Sequence, residues 1–300
     1  MQREIRVIEV LETSDVAELR DPRARELARD TLEAGRVLLL PKLPFPLRDH
    51  EHAFLDPANQ VRLRFRKAGA NGRPTLLYDQ ATNRLRGGRP IGLNSHQLRD
   101  LMGRYADWTR QLVETLLPHT AGVLEQEWTT FRPAKRSTTQ NLHMDAAIAR
   151  PTQGRCWLRI FRNVNESAPR IWQVGGNFEP AARHVAPRLP ARVREQYPGV
   201  SAALRVLGVA KGRATAYDHT MRALRELIMH DREFQQSAPR QIVEFASGAT
   251  WLAYTDLALH GAMAGQHSLD QSFLIERSSM RDPGRSSLGI LESLTGRSLH

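Results

Sequence analysis

The chain has 300 residues, 41% hydrophobic and 25% charged, with 20 Gly and 17 Pro; this ordinary globular usage excludes wholesale disorder and collagen-like or repetitive architectures. Lys and Arg number 43 against 32 Asp and Glu, a formal charge of +11, which implies an acidic partner: nucleic acid, an anionic membrane surface, or a small substrate carrying carboxylates and phosphates. The cations are mostly Arg and scattered, which argues against a basic tail and favours a defined anionic ligand, since a guanidinium grips carboxylate or phosphate through two parallel hydrogen bonds.

In chain order, Ser14 and Asp15 predict the cap of a first helix, and Asp21-Pro22 the start of a second that ends at Gly35. Val37 to Leu40 reads as a short buried strand closed by a Pro-rich segment. Val61 to Phe65 alternates apolar residues with Arg, and Thr75 to Tyr78 is expected to pair with it. From a cap at Asn94 or Ser95, Leu98, Leu101, Tyr105, Trp108, Leu112 and Leu116 recur at helical spacing. Beyond Trp128 the character changes to short strand-like runs: Trp128 to Phe131, Cys156 to Phe161, Ile171 to Val174, Ile242 to Phe245, Thr250 to Tyr254 and Ser272 to Glu276. Residues 178–236 interrupt them as a helical insertion. The expected architecture is α+β, a jelly-roll core (double-stranded β-helix) with N-terminal and inserted α-helices, in one domain over 1–300. Residues 1–125 form its mainly helical N-terminal part and 126–280 its core.

Cys156 is the one cysteine, which excludes an intramolecular disulfide and a cysteine zinc site and fits a reducing compartment. The start shows no secretory signal pattern, and no apolar stretch approaches the ~20 residues that span a bilayer. The expected location is the cytoplasm, with any membrane contact peripheral.

In Gln140-Asn141-Leu142-His143-Met144-Asp145, a His and an Asp stand two apart, which on an extended strand places both on one face. His260 follows 117 residues after His143. Two His and one carboxylate on one face of an octahedron leave the other face open, the ligand set of non-haem Fe(II) oxygenases. His50-Glu51-His52 offers a second pair of imidazoles but reads as solvated surface. Neither a Gly-rich phosphate loop nor a Gly-x-Ser-x-Gly elbow is present, and Cys156 sits in an apolar run that suits an inert thiol.

The stretch Ser137 to Asp145, then Arg150-Pro151-Thr152 with Gly154, then Leu158-Arg159-Ile160-Phe161-Arg162-Asn163-Val164-Asn165, resembles the Kdo hydroxylases. So do Pro169 to Gly175, His260 to Gln266 and Met280-Arg281-Asp282-Pro283. The resemblance implies an Fe(II)- and 2-oxoglutarate-dependent dioxygenase that uses O2, with ascorbate as reductant. It would hydroxylate C3 of 3-deoxy-D-manno-octulosonic acid (Kdo) in the inner core of lipopolysaccharide to give Ko. His143, Asp145 and His260 would then be the iron ligands. Arg159 is the first choice for the distal carboxylate of 2-oxoglutarate, because an Arg between apolar strand neighbours needs a paired anion; Arg277 is the alternative, with Gln271 assisting. Arg136, Arg162, Arg170 and Trp172 are candidates for the sugar carboxylate, a neighbouring phosphate and the ring face. The implied partners are a Kdo-bearing lipid A precursor and, peripherally, the inner face of the bacterial inner membrane, with no nucleic acid. Two other readings of the residues are an oxygenase acting on alkylated nucleic acid and a non-catalytic basic module for nucleic acid or anionic lipid. Clustered aromatics for base stacking are few, which counts against the latter.

Overall fold

The computed structural model describes residues 6–56, 63–65, 75–86, 88–90, 93–133, 140–147, 150–190 and 212–300. The N-terminal part supplies β1 (Ile8–Val10), β2 (Val37–Leu40), β3 (Leu63–Phe65), β4 (Leu76–Asp79), β5 (Arg84–Arg86) and β6 (Gly88–Pro90). The remainder supplies β7 (Leu124–Arg132), β8 (Cys156–Asn163), β9 (Arg170–Asn177), β10 (Gln241–Phe245), β11 (Thr250–Tyr254), β12 (Ala258–Ala264) and β13 (Ser268–Ile275). The helices are α1 (Pro22–Glu33), α2 (Ser95–Leu116), α3 (Glu179–Val185), α4 (Ala216–His230), α5 (Arg232–Ser237) and α6 (Ser287–Thr295).

The large sheet runs in the order β1-β2-β11-β8-β13-β7-β4-β5, and a smaller one runs β10-β9-β12. Residues 140–143 extend the free edge of β12: His143 N–H donates to the His260 carbonyl at 3.0 Å and receives the reverse bond at 2.8 Å. Four antiparallel strands, β11-β8-β13-β7, therefore face a four-membered layer made of β10, β9, β12 and the 140–143 segment, and the fold is the jelly roll that the strand runs anticipate. Between the layers pack Phe161, Trp172, Phe245 and Trp251; the last two stack with ring centroids 3.9 Å apart. The other face of the large sheet is covered by α2, whose buried Leu98, Leu101, Tyr105, Leu112 and Leu116 are the periodic residues of the sequence. Asn94 caps α2 through the His96 and Gln97 amides, and the Tyr105 hydroxyl donates to the Ile160 carbonyl at 3.1 Å.

Three local expectations change. The segment after Asp15 is a 3-10 turn, Val16–Arg20, because Asp21-Pro22 follows too soon for an α-helix and itself caps α1. β3 pairs with β6 rather than with β4, and β4 pairs with β5 and β7. Residues 80–83 make a tight turn with Asn83 at φ 50°, and such a short closure costs less entropy than the longer loop the expected pairing required. His143 forms a single bridge rather than part of a continuous strand.

Helix α6 seals the end of the barrel where β8 begins. Its Ser287 hydroxyl donates to Asp256 Oδ2 at 2.6 Å, and the Trp157 amide donates to Asp256 Oδ1 at 2.9 Å. Burial pushes the Asp256 carboxyl up to about 6, outweighing those two hydrogen bonds. The native state therefore holds this proton to higher pH than the unfolded chain does. Stability falls between about pH 4 and pH 6, by on the order of 3 kcal/mol, and the loss is complete above that window. Asp256→Asn, which can keep the Trp157 bond and donate to Ser287, is expected to flatten this dependence. Urea unfolding at pH 4 and pH 7 measures it, and an unchanged pH slope in the variant would refute the assignment.

Candidate metal centre

His143, Asp145 and His260 come together at the edge of the smaller sheet, each offering one ligand atom, all within 4.8 Å of one another. Cross-strand pairing brings the two imidazoles side by side, ring centroids 4.7 Å apart. The Asp145 amide donates to the Thr255 carbonyl at 2.7 Å, which turns the chain so that its carboxylate follows His143 into the same space. Asp145 Oδ1 lies 3.9 Å from His260 Nε2.

Both rings are oriented by the backbone. His143 Nδ1 is 2.8 Å from the Asn141 carbonyl, and His260 Nδ1 is 2.9 Å from the Ala258 carbonyl. A carbonyl can only accept, so each Nδ1 carries the proton and each Nε2 presents a lone pair to the cluster. Burial, and after it the neighbouring His260, lowers His143 to about 3; burial likewise lowers His260. Burial alone would raise Asp145, but the Arg159 guanidinium, by its charge and its hydrogen bond, leads the groups that outweigh it and hold the carboxyl below its ordinary range. Two neutral imidazoles and one carboxylate is the protonation state a divalent cation requires, and the donor set suits iron.

Among the described residues the segment 140–145 has no strand partner beyond β12, and side-chain amides take up several of its other backbone groups. Gln235 of α5 accepts from Leu142 N–H at 2.9 Å and donates to the Leu142 and Ile228 carbonyls, both at 2.9 Å. Gln173 Nε2 donates to the Gln140 carbonyl at 2.6 Å. Gly261 leaves room for this: a Cβ there would stand 2.3 Å from the Gln140 oxygen and 2.9 Å from Gln173 Nε2. Gly261→Ala is expected to push 140–143 off β12, with a loss of about 1–3 kcal/mol in stability and weaker Co(II) binding. Titration of the variant with Co(II) checks this, and wild-type affinity would contradict it.

Arg159 stands directly behind the cluster. Its Nη1 donates to Asp145 Oδ2 at 2.8 Å and its Nη2 to Asp270 Oδ1 at 2.6 Å. Arg132 Nε completes the chain on Asp270 Oδ2 at 2.9 Å. The other arginines fare differently. Arg162, three residues along β8 from Arg159, faces the opposite side of the sheet, where it donates to the Leu43 carbonyl and to Thr250 Oγ1, both at 2.8 Å, beneath Phe45 and Trp108. Arg277 lies past the end of β13 and pairs with Glu292 of α6 at 3.2 Å. Gln271 also faces away: it accepts from Thr129 Oγ1 at 2.6 Å and donates to the Glu127 and Ser272 carbonyls. Trp172 stacks on His260 at 5.2 Å and 22°, buried among Phe161, Phe245 and Trp251, so it is packed against a cluster imidazole rather than open to a sugar. Arg170, two residues before it, is buried on β9. Arg136 lies outside the described residues. Of the other motifs, Glu51 is buried on Arg104 and His52 pairs with Glu166, so only part of that triplet is surface.

Sequence reasoning missed Asp270, Arg132 and Gln235. For Asp270 a signal exists: Ser268, Asp270 and Ser272 alternate with Leu269, Gln271 and Phe273, a polar face on a strand buried throughout, and therefore a face turned toward a site.

The family model described as 3-deoxy-D-manno-oct-2-ulosonic acid (Kdo) hydroxylase matches residues 15–298. Among solved structures, the chain is similar to the Kdo hydroxylase KdoO, a non-haem Fe(II) α-ketoglutarate-dependent dioxygenase. The complex of KdoO with succinate and Fe(III) matches at 30% identity, covering 98% of this chain and 97% of that one, with a TM-score of 0.85. The complexes with cobalt(II), and with α-ketoglutarate and Fe(III), match at 30% and 29% identity with the same coverage and TM-score. Among curated proteins none matches the chain.

Proposed function

The chain belongs to the Kdo hydroxylase family, and from that premise we propose that His143, Asp145 and His260 hold its Fe(II) and that the acceptor carbon is C3 of Kdo. The protein is an Fe(II)- and 2-oxoglutarate-dependent dioxygenase that hydroxylates Kdo. The observation that carries the site assignment is the cluster itself, three ligand atoms within 4.8 Å of one another with each Nδ1 held by a backbone carbonyl, which leaves each Nε2 to bind metal. Iron bound there, with 2-oxoglutarate and O2, supplies the oxidant that replaces a C–H hydrogen by hydroxyl, with 2-oxoglutarate leaving as succinate and CO2.

The residues of the chain do the rest. Arg159 holds Asp145 by Oδ2 and so leaves Oδ1 turned toward His260. Its Nε is buried with no hydrogen-bond partner among the described residues, which supports its role as the donor to the distal carboxylate of 2-oxoglutarate. Trp172 backs the cluster from β9 and keeps the His260 ring from turning. The aromatic packing of Phe161, Phe245 and Trp251 behind it excludes water from that side.

The test is turnover of a Kdo-terminated lipid A precursor with Fe(II) and ascorbate, with and without 2-oxoglutarate. A product heavier by one oxygen, matched by succinate, is expected only with 2-oxoglutarate; an unmodified lipid with all components present would overturn the reading. The nucleic-acid alternative is not favoured by the family match.

We also propose that the protein works at the cytoplasmic face of the inner membrane by peripheral contact. No helix of the described residues is long and apolar enough to cross a membrane, and the net charge is +11. Binding to vesicles containing anionic lipid should be lost between low and high salt, and retention at high salt or equal binding to neutral vesicles would contradict it.

A further inference from the structure

On the inner face of the large sheet, the face that carries Arg159, is a recess of about 220 Å³ lined by Glu125, Glu127, Arg150, Arg155, Trp157 and Leu274 among others. Trp157 and Leu274 stand opposite each other in the β8–β13 ladder. Arg159 follows Trp157 by two residues, on the same face, about 7 Å along the strand, and its Nη1 reaches Asp145 at 2.8 Å. The recess thus lies along β8 from Arg159, the residue whose guanidinium holds the cluster carboxylate.

Its size and charge define what it takes. Drug-sized ligands occupy roughly 300–1,000 Å³, so this recess has room for one sugar unit and not for an acyl chain. Arg155 Nη1 pairs with Glu125 Oε2 at 2.5 Å. Glu127 is buried. The Arg150 guanidinium lies 3.9 Å over the Trp128 ring, which fixes its plane. Burial lowers Arg150 to about 10, with Glu127 opposing the fall, so it stays charged at neutral pH. The lining therefore balances two carboxylates with two guanidiniums beside an indole. A free phosphate dianion would meet Glu125 and Glu127, and a neutral sugar would bring no anion to Arg150. A ring with many hydroxyls and a single carboxylate satisfies all of them, because hydroxyls donate to carboxylates and the acid accepts from the guanidinium.

Building on the reading of the cluster as a Kdo hydroxylase iron site, we propose that this recess is the sugar-acid subsite. Arg150 takes the acid's carboxylate, Glu127 accepts hydroxyl hydrogens, and Trp157 backs the ring. The subsite grips the sugar by its acid and hydroxyl groups, so that one edge of the ring is turned toward His143, Asp145 and His260.

The test is binding of free Kdo to the full-length Co(II)-loaded protein by calorimetry, with inorganic phosphate and a neutral hexose as comparison arms, alongside the acceptor KM in turnover. Arg150→Ala is expected to weaken Kdo binding by at least about tenfold and to raise the acceptor KM similarly, with a smaller effect for Arg150→Lys and for Glu127→Gln. Co(II) and 2-oxoglutarate affinities should stay within about twofold of wild type, which separates a lost subsite from a damaged fold. Equal Kdo binding by Arg150→Ala, a parallel loss of 2-oxoglutarate, or phosphate binding as tightly as Kdo would overturn the proposal. The two readings fail differently. Kdo binding that needs Arg150, without hydroxylated product, sinks the activity and leaves the subsite standing. Product formation with an acceptor KM indifferent to Arg150 does the reverse.

Discussion

His143→Ala is expected to abolish Co(II) and Fe(II) binding at micromolar metal and to lower Kdo hydroxylation by at least about a thousandfold, with little change in folding. Removing one imidazole leaves His260 and Asp145, and two donors do not retain a divalent cation against water as three do. The fold should survive, because the His143 contribution to the sheet is made by its backbone, which exchanges both hydrogen bonds with His260 whatever the side chain. Metal titration, succinate release and thermal unfolding measured on one preparation check all three parts. Wild-type metal affinity in the alanine variant would remove the site assignment, whereas a parallel collapse of the unfolding temperature would place the effect in stability instead.

Arg159→Met should be the most destabilising single change at the site, by roughly 3–5 kcal/mol, because it leaves buried carboxylates without their shared cation. Arg159 bridges Asp145 and Asp270, and Arg132 continues to pair with Asp270 in the variant, so the loss falls mainly on Asp145. The pH dependence carries the diagnostic sign. Burial opposes ionisation of Asp145 and Asp270, and Arg159 as the largest favourable charge holds both below the ordinary range. Their contribution to stability is thus present above the ordinary carboxylate pKa of about 4 and is lost as pH falls below it. The variant should show a smaller difference in unfolding free energy between pH 7 and pH 3 than wild type, together with weaker Co(II) binding. An unaltered acid slope would show that the Arg159 pairs are energetically silent.

The strands and α2 were legible because burial leaves a period in the residues that pack. The Cys156 to Phe161 run, the Thr250 to Tyr254 run and the heptad-like spacing from Leu98 to Leu116 fall on β8, β11 and α2. The pairing of β3 and β4 was not legible, since alternation identifies a strand and says nothing about its neighbour. Alternation also leaves undecided which face of β8 meets the cluster. Arg159 and Arg162 were both plausible ligand arginines in sequence, and only the placement of α2 on one side of the sheet separates them.

The amino-acid sequence by itself determined the chemistry available to this protein: a His-x-Asp pair and a distant His as a ligand set, an arginine surplus suited to carboxylates, and strands enough for a jelly roll. Residue type and local spacing carry that information. The tertiary structure alone decided which arginine stands behind the metal ligands, that Asp270 shares it, and that a mixed-charge recess lies on the same face of the sheet as that arginine. The partner of a buried charge is chosen by sheet register, here across 111 residues between Arg159 and Asp270, and the cost of leaving such a charge unpaired forces a choice that no local pattern records.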